Sequence, residues 1–451
     1  MLQTIVNAWK IADLRKKMLY TALVILIFRI GSAIPVPFTD IGEAGIISDP
    51  NAGTFMNYLA MMTGDAFTYG TIFAMSITPY INSSIIMQLL AVAIPALERL
   101  QKEGEEGRKK IASITRFVTI ALGLLQSTAY YFYLRSQGYL VKDATGADFA
   151  GFAAVFQAIV IILCFTAGTA LIMWLGERIN EKGIGNGISM ILFAGIVSRI
   201  PTLITSLFGP TNGYISRGGP YYFLSPFVGI VLILMIAFIV WMDNAERRIP
   251  VQYAKRVVGR KMYGGQSTHI PIKVNMSGVM PVIFASSILS LPPTIEMFVS
   301  SKIKEGGFWD GFFGIFSYEH WAYSIIYFVF IIAFAYFYAS IQYNPIEMSK
   351  NIRDNGGSIP GIRPGEPTSK YIAKILSRMT LLGALLLSIV ALFPIIFSQV
   401  STFFLGMWQE GATMNVSLGG TSIIILVGVA LETVKQLESQ MMMRHYKGFL
   451  D

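Results

Sequence analysis

Residues 69–97, YGTIFAMSITPYINSSIIMQLLAVAIPAL, are the stretch from which the rest of the chain is interpreted. The run is apolar and long enough to cross a bilayer, for which about 20 helical residues suffice. Ile77, Ile81 and Ile85 recur at i, i+4 and i+8 and predict one branched-aliphatic stripe on a helix. The stripe alone is typical of ordinary helix packing.

Polar side chains repeat at the same helical spacing on neighbouring faces of this run. The pairs are Thr78 with Asn82, and Ser84 with Gln88. Lipid offers such groups no hydrogen-bond partner, so they normally face other helices or a water-filled cavity. Just upstream, residues 53–64 (GTFMNYLAMMTG) form an apolar segment too short to span. A segment that folds back beside a span with a polar edge indicates a pore or gate.

The composition is that of an integral membrane protein. The 451 residues are 54% hydrophobic and 14% charged, and mean hydropathy is +0.57. Soluble globular chains carry about 25% charged residues. The single cysteine, Cys164, lies in an apolar run and excludes an internal disulfide or thiolate metal cluster. The basic N-terminal segment runs into a long apolar stretch without a cleavage site, so we expect the first span to be retained.

Ten apolar runs divide the chain and predict an all-α fold. They lie at 18–38, 69–97, 113–134, 152–175, 184–208, 222–243, 275–298, 320–342, 373–397 and 420–437. Ten spans split into two halves of five, 18–208 and 209–437, and an odd-numbered repeat must be inverted. Residues 1–17 are expected to form an interfacial segment, and 438–451 a C-terminal tail. The predicted fold is therefore ten transmembrane helices in two inverted five-helix halves around a central pore.

The basic residues predict the orientation of the spans. Most of the 35 lysines and arginines lie near the N-terminus, near the C-terminus and around the loops after spans 2, 4, 6 and 8. By the positive-inside rule, those loops and both termini are expected to be cytoplasmic.

The chemistry of an enzyme is missing from the spans. An intramembrane hydrolase would need a His beside a nucleophile, or a set of metal ligands, and the three histidines fall in loops or the tail. A secondary transporter, the main alternative, would need coupling-ion ligands near the midplane, where carboxylates are almost absent. We therefore expect neither enzymatic activity nor a cofactor.

Two basic loops connect spans on the expected cytoplasmic side. Loop 244–273 concentrates six cations within fifteen residues: Arg247, Arg248, Lys255, Arg256, Arg260 and Lys261. Such a loop either fixes the membrane topology through contact with anionic lipid, or it binds a phosphate-rich partner such as RNA. In loop 344–372, prolines and glycines predict an ordered, non-helical excursion around Arg363, with a plain linker as the alternative.

Five motifs together resemble the SecY/Sec61-alpha family, whose members are central subunits of protein-conducting channels. They are ITPYINSSIIMQLL (77–90), GIGNGISMILFAGIV (183–197), QSTHIPIKVNMSGVMPVIFASSI (266–288), PGIRPGEPTSKYI (360–372) and MMRHYKGFL (442–450). The resemblance extends from about residue 2 to the end. It implies an hourglass channel with a re-entrant plug helix at about 53–67 and a lateral gate of spans 2 and 3 against spans 7 and 8.

The resemblance also implies roles for individual residues. The aliphatic constriction would be formed by Ile77, Ile81, Ile188, Leu192, Ile283 and Ile425. The polar lining of the gate would include Thr78, Asn82, Ser84 and Gln88. Docking of the SecA motor or of ribosomal RNA would involve Arg248, Lys255, Arg256, Arg260, Lys261 and Arg363.

The expected partners follow from the same resemblance. They are SecE, SecG, the SecA ATPase, the ribosome, signal peptides and nascent polypeptides, with anionic lipid around the basic loops. The expected function is passage of unfolded secretory polypeptides across the bacterial cytoplasmic membrane and sideways release of apolar helices into lipid.

Overall fold

The structure, a computed structural model, describes most of the chain. The described residues are 2–41, 63, 66–142, 149, 151–210, 213–219, 221–253, 256–258, 261–263, 267–299, 307–316, 320–406 and 420–447. Over these ranges the fold is predominantly helical, with one small sheet and one separate β-hairpin.

The helices of the first half include one for each predicted run from 18 to 208. They are α1 Leu2–Lys10, α2 Ala12–Gly31, α3 Thr78–Ala93, α4 Pro95–Lys102, α5 Glu105–Ser136, α6 Phe152–Lys182, α7 Gly187–Ser198 and α8 Ile200–Phe208. A short 3-10 helix, Tyr214–Arg217, follows.

The second half contributes helices of very different length. They are α9 Tyr221–Asn244, α10 Met280–Leu289, α11 Leu291–Val299, α12 Phe308–Ile315, α13 Trp321–Gln342, α14 Pro345–Asp354, α15 Glu366–Gly406 and α16 Gly420–Lys447. By length and composition, the described residues contain seven helices able to span a membrane, or eight if α3 and α4 count as one bent span. The predicted number of ten is consistent with this architecture but exceeds the helices that pass these criteria.

The prediction of one continuous helix over 69–97 is wrong. Turns occupy the chain up to Ile77, and the backbone at Ser76 has a φ of +48°, which a helix does not allow. Helix α3 starts at Thr78 with Pro79 in its first turn, where the missing N–H costs nothing. Ile94 is extended because Pro95 follows it, and the segments Thr78–Ala93 and Pro95–Gln101 are bent by 106°.

Two predicted runs differ in extent from the helices that match them. The run 18–38 corresponds to α2, which already ends at Gly31 because Ser32 and Pro35 follow. The run 275–298 is divided at Ser290 into α10 and α11, and two prolines follow that break. Prolines lack the N–H that a continuous helix would need there.

A sheet joins the two basic loops into one structural unit. Strand β1 Glu246–Tyr253 pairs antiparallel with β4 Ser267–Lys273 and, on its other edge, with β5 Gly357–Ser358. Strands β2 Arg256–Val258 and β3 Lys261–Tyr263 form a hairpin between β1 and β4. The alternation of Ile249 and Val251 with exposed residues fits a sheet with one buried face.

The second loop is packed and partly helical. Helix α14 occupies the first part of the loop, and the chain around Arg363 forms the predicted non-helical turns before α15 begins. Ile352 and Ile359 join Ile249 and Val251 in one buried cluster. The plain-linker alternative for 344–372 is therefore wrong, because a linker would have no shared core.

Among the described residues, helices of the two halves pack against each other in several pairs, including α8 with α9. On one side α3 packs against α10 and α5 packs against α11, and on another α7 packs against α16. Most of the apolar core belongs to one large cluster that contains residues from both halves.

We predict that Gly168 is essential to the packing of α6. A Cβ at this position would lie 2.0 Å from the carbonyl oxygen of Ile72, a backbone atom that cannot move aside alone. Gly168→Ala should therefore cost about 1–3 kcal/mol of stability through overpacking, despite the better helix propensity of alanine. Thermal unfolding of the detergent-solubilised chain measures the loss.

Gly123→Ala is the matched control, because it adds the same methyl group in the neighbouring helix α5. Its Cβ would meet Thr169 at an ordinary 3.5 Å, so we expect the unfolding temperature to stay the same or rise. Equal unfolding temperatures for the two variants would contradict the tight approach of α6 to Ile72.

Candidate functional site

The six residues predicted for the constriction come from four helices and converge on one apolar cluster. Ile77 caps α3 and Ile81 lies inside it, while Ile283 lies on α10 and Ile425 on α16. All four are buried, with 1–8% of the side chain exposed. Leu192 on α7 is buried in the same cluster, and the half-buried Ile188 packs against it.

The first turn of α7 fixes the positions of Ile188 and Leu192. Asn186 caps the helix by accepting the N–H of Ile188 at 3.1 Å, and Asn180 accepts the N–H of Gly187 at 2.7 Å. A Cβ on Gly187 would lie 2.0 Å from the carbonyl oxygen of Gly176 in α6. Only glycine permits this approach, which accounts for the glycine-rich sequence before α7.

The polar edge of α3 is only partly hydrogen-bonded. Gln88 donates from Nε2 to Ser84 Oγ at 3.2 Å, so this predicted pair is formed. Asn82 is buried with its Oδ1 unpartnered among the described residues, and no bond joins it to the half-buried Thr78 there. A buried acceptor without a donor costs about 1–3 kcal/mol. Helix α3 therefore holds an amide oxygen that gains from any arriving donor.

Ser83 is a polar residue of this helix that the spacing argument missed. It is fully buried, donates to the carbonyl of Thr115 at 3.0 Å and lies 2.7 Å from Thr119 Oγ1. These bonds tie α3 to α5. A sequence signal was available, since Thr115 and Thr119 recur four residues apart in the next apolar run.

Two ion pairs join acids in the last turns of α6 and α9 to cations on neighbouring helices. Arg116 bonds Glu177 at 2.7 Å between α5 and α6. Asp243 at the end of α9 accepts from Asn275 at 3.1 Å and lies 3.7 Å from Lys435 of α16. Over the described ranges, no group of His, Cys, Asp or Glu could hold a metal ion. The six aliphatic side chains assigned to the constriction themselves offer only van der Waals contact.

The predicted docking residues lie in or near the three-stranded sheet. Arg248 is exposed and pairs with Glu246 at 2.8 Å. Arg363 is exposed on the turn before α15, and its carbonyl accepts the hydroxyl of Thr368 at 2.8 Å. Arg256 and Lys261 stand in the β2–β3 hairpin. Lys255 and Arg260 lie outside the described residues.

The predicted plug, 53–67, also falls mostly outside the described residues. The structure describes Thr63, Ala66 and Phe67 of this segment. The N–H of Phe67 donates to Thr63 Oγ1 at 3.3 Å, and its carbonyl accepts a hydrogen bond from the buried Tyr130 hydroxyl. The end of the segment is therefore anchored to α5.

Comparison with known proteins agrees with the motifs and the fold. A family model described as SecY matches residues 71–434. The protein translocase subunit SecY of Streptomyces galbus is 41% identical over 455 residues, covering 100% of both chains. A solved protein-conducting channel matches with a TM-score of 0.60 at 19% identity, over 94% of this chain and 92% of its own. The Sec61 channel of a canine ribosome-channel complex matches with a TM-score of 0.55 at 17% identity, over 94% and 92%. The chain belongs to the SecY family.

Proposed function

We propose that this chain is a channel subunit that passes unfolded secretory polypeptides across a membrane and releases apolar helices sideways into lipid. One observation carries the proposal. Side chains assigned to a constriction on four separate helices belong to, or pack against, one apolar cluster. Membership of the SecY family supports the same function.

The chemistry of the cluster suits a passage for chains of any sequence. Branched aliphatic side chains offer a translocating polypeptide no hydrogen bond or charge, so contacts stay weak. In the resting state they disfavour a continuous column of water and ions, as in hydrophobic constrictions that gate by dewetting. The residues we assign to this ring are Ile77, Ile81, Ile188, Leu192, Ile283 and Ile425.

The contacts of α3 with α10 and of α5 with α11 are the proposed lateral gate. Helix α3 brings Thr78, Asn82, Ser84 and Gln88 to this region. The unpartnered amide of Asn82 makes the closed arrangement less stable than a fully satisfied one. A passing segment that supplies a donor would favour separation of the helices.

The proposed partners are those of a bacterial translocase. SecE and SecG would support the two halves, and SecA or a translating ribosome would dock on the unit formed by both basic loops. A structural relative, the canine Sec61, was solved as a ribosome-channel complex. Signal peptides and nascent polypeptides would be the clients, and anionic lipid would surround the basic loops of a chain with both termini in the cytoplasm.

The rival function, secondary transport of a small solute, gains no support from the described residues. The acids Glu177 and Asp243 lie in the last turns of α6 and α9, and each is already paired with a cation, Arg116 and Lys435 respectively. A coupling-ion site would instead place such groups near the midplane.

Disulfide trapping tests the proposed pore. In a Cys164→Ser background, Ile283→Cys is combined with one cysteine midway along an arrested secretory chain. A crosslink is expected only when the chain is engaged, because Ile283 would then touch it. Ile325→Cys, on the exposed side of α13, is the control position. If engaged chains crosslink only at position 325, the assigned pore axis is wrong.

A further inference from the structure

A cluster of cations opens onto a small cavity where β1 meets the first turns of α15. The cavity has a volume of about 200 Å³ and is lined by Arg247, Tyr371, Lys374, Ile375, Arg378 and Met379. This volume is below that of a drug-sized ligand site and suits a compact group. Its polar wall consists of two guanidinium groups, one ammonium group and one phenol.

The three cations have no acidic partner in the part of the chain that the structure describes. Arg247, Lys374 and Arg378 are exposed and form no ion pair or side-chain hydrogen bond there. The acidic residues nearest in sequence are engaged elsewhere, Glu246 with Arg248 and Glu366 with Lys370, each at 2.8 Å. Three like charges around one cavity repel each other, and an anion relieves this repulsion.

The cations continue into an apolar ridge on the same face of α15. Tyr371, Lys374 and Arg378 follow each other at helical spacings of three and four residues. Leu382, Leu385 and Ile389 extend that spacing along the helix, and all three are exposed. The face is therefore cationic at its start and aliphatic for the next three turns.

The surroundings mark this level as a membrane boundary. Trp241 is 63% exposed in the last turn of α9, six residues before Arg247. Tyr336 of α13 donates its hydroxyl to the carbonyl of Ser377 at 3.2 Å, next to Arg378. Trp and Tyr concentrate where lipid headgroups meet the acyl chains.

We propose that this cluster is a binding site for an anionic phospholipid. The phosphate would occupy the cavity between Arg247, Lys374 and Arg378, and an acyl chain would lie along Leu382, Leu385 and Ile389. Arginine is suited to bidentate phosphate contact, and lysine adds a point charge. RNA phosphates would pair with the cations, but RNA would leave the exposed aliphatic side chains of the ridge without an apolar partner. The inference requires a membrane-embedded chain and does not depend on polypeptide transport.

Fluorescence quenching in nanodiscs tests the site with the full-length chain. Leu382→Cys in a Cys164→Ser background carries a bimane label one turn beyond Arg378. The probes are phosphatidylglycerol and phosphatidylcholine with the same acyl-chain spin label, each at the same low fraction in phosphatidylcholine. We expect phosphatidylglycerol to be enriched about fivefold at this label, the effect of about one cation–headgroup contact. A label at Leu163→Cys, on an exposed face of α6, should respond equally to both lipids.

Charge variants distinguish binding at this site from a general electrostatic attraction between the basic chain and anionic lipid. Arg247→Gln, Lys374→Gln and Arg378→Gln together should abolish the enrichment at position 382. The matched control, Arg108→Gln with Lys109→Gln and Lys110→Gln, removes the same charge from exposed positions in α5 and should retain it. If the first variant does not fold, Arg378→Gln is used in its place, and Arg378→Lys should preserve most of the enrichment.

Four outcomes would overturn the proposal. Equal quenching by both lipids at position 382 would exclude a site selective for anionic lipid. Unchanged enrichment in the triple variant would assign it to other cations. Loss of enrichment in inorganic phosphate, but not in chloride of equal ionic strength, would identify free phosphate as the ligand. If enrichment is absent while the triple variant loses ribosome binding, the cluster is an RNA contact.

Discussion

Replacing Ile81 and Ile283 together with glycine should open an ion leak through the resting channel. Both side chains are buried in the central cluster, on helices α3 and α10, which contact each other. Removing both side chains leaves a space lined by polar backbone groups, where the apolar side chains had excluded water. Burial of one such side chain is worth about 1.5–3 kcal/mol. If that energy disfavours wetting, each loss raises the wetted fraction by on the order of tenfold.

Planar bilayer recordings of the purified complex measure this leak directly. The conductance without any secretory chain should rise clearly above that of the unchanged protein, and a bound chain should reduce it. Crosslinking at a position outside the ring would verify that the variant and the unchanged protein insert in equal amounts.

The matched control removes the same side chains elsewhere in the core. Ile161 in α6 and Ile239 in α9 are buried as deeply but were not assigned to the ring. Ile161→Gly with Ile239→Gly should lower stability without adding conductance. A leak of equal size in this control would mean that the first variant leaks through general loosening, and the ring assignment would be wrong.

The family, the helical class and most span positions were predictable because they depend on local patterns. Long apolar runs predict helices at membrane depth, since the backbone has no other partner there. The family assignment from the five motifs is confirmed by the family model and by full-length relatives. The predicted run 184–208 also begins close to the start of α7 at Gly187.

Features set by distant contacts were not predictable in the same way. Pro95 was visible in the sequence, but the apolar residues on both sides concealed the 106° bend that it produces. The pairing of β1 with β5 joins residues about a hundred positions apart, and the two residues of β5 carry no pattern of their own. Likewise, the bond between Ser83 and Thr119 depends on which faces α3 and α5 present to each other. The assigned roles of the ring and gate residues stay predictions.

Reversing the charge of Arg363 should impair motor-driven export while leaving the chain intact. Its side chain is exposed, and the turn that carries it is held by the hydrogen bond that the Thr368 hydroxyl donates to the Arg363 carbonyl. The substitution Arg363→Glu therefore leaves folding contacts in place. It places an acid where an acidic or phosphate-rich docking partner would otherwise contact a cation. Two like charges brought together in this way cost several kcal/mol. The expected loss in export rate is at least about tenfold, which corresponds to about 1.4 kcal/mol.

ATP-driven translocation into inverted membrane vesicles, normalised to the amount of inserted subunit, measures the effect. Lys350→Glu is the control, because Lys350 is an exposed cation of α14 in the same unit and its reversal changes net charge equally. If docking depends on the position of the charge, Arg363→Glu should slow export far more than Lys350→Glu, with equal abundance of both. Equal slowing would mean that the partner senses only the overall charge of the unit. Normal export by Arg363→Glu at normal abundance would mean that the turn serves to order the sheet and takes no part in docking.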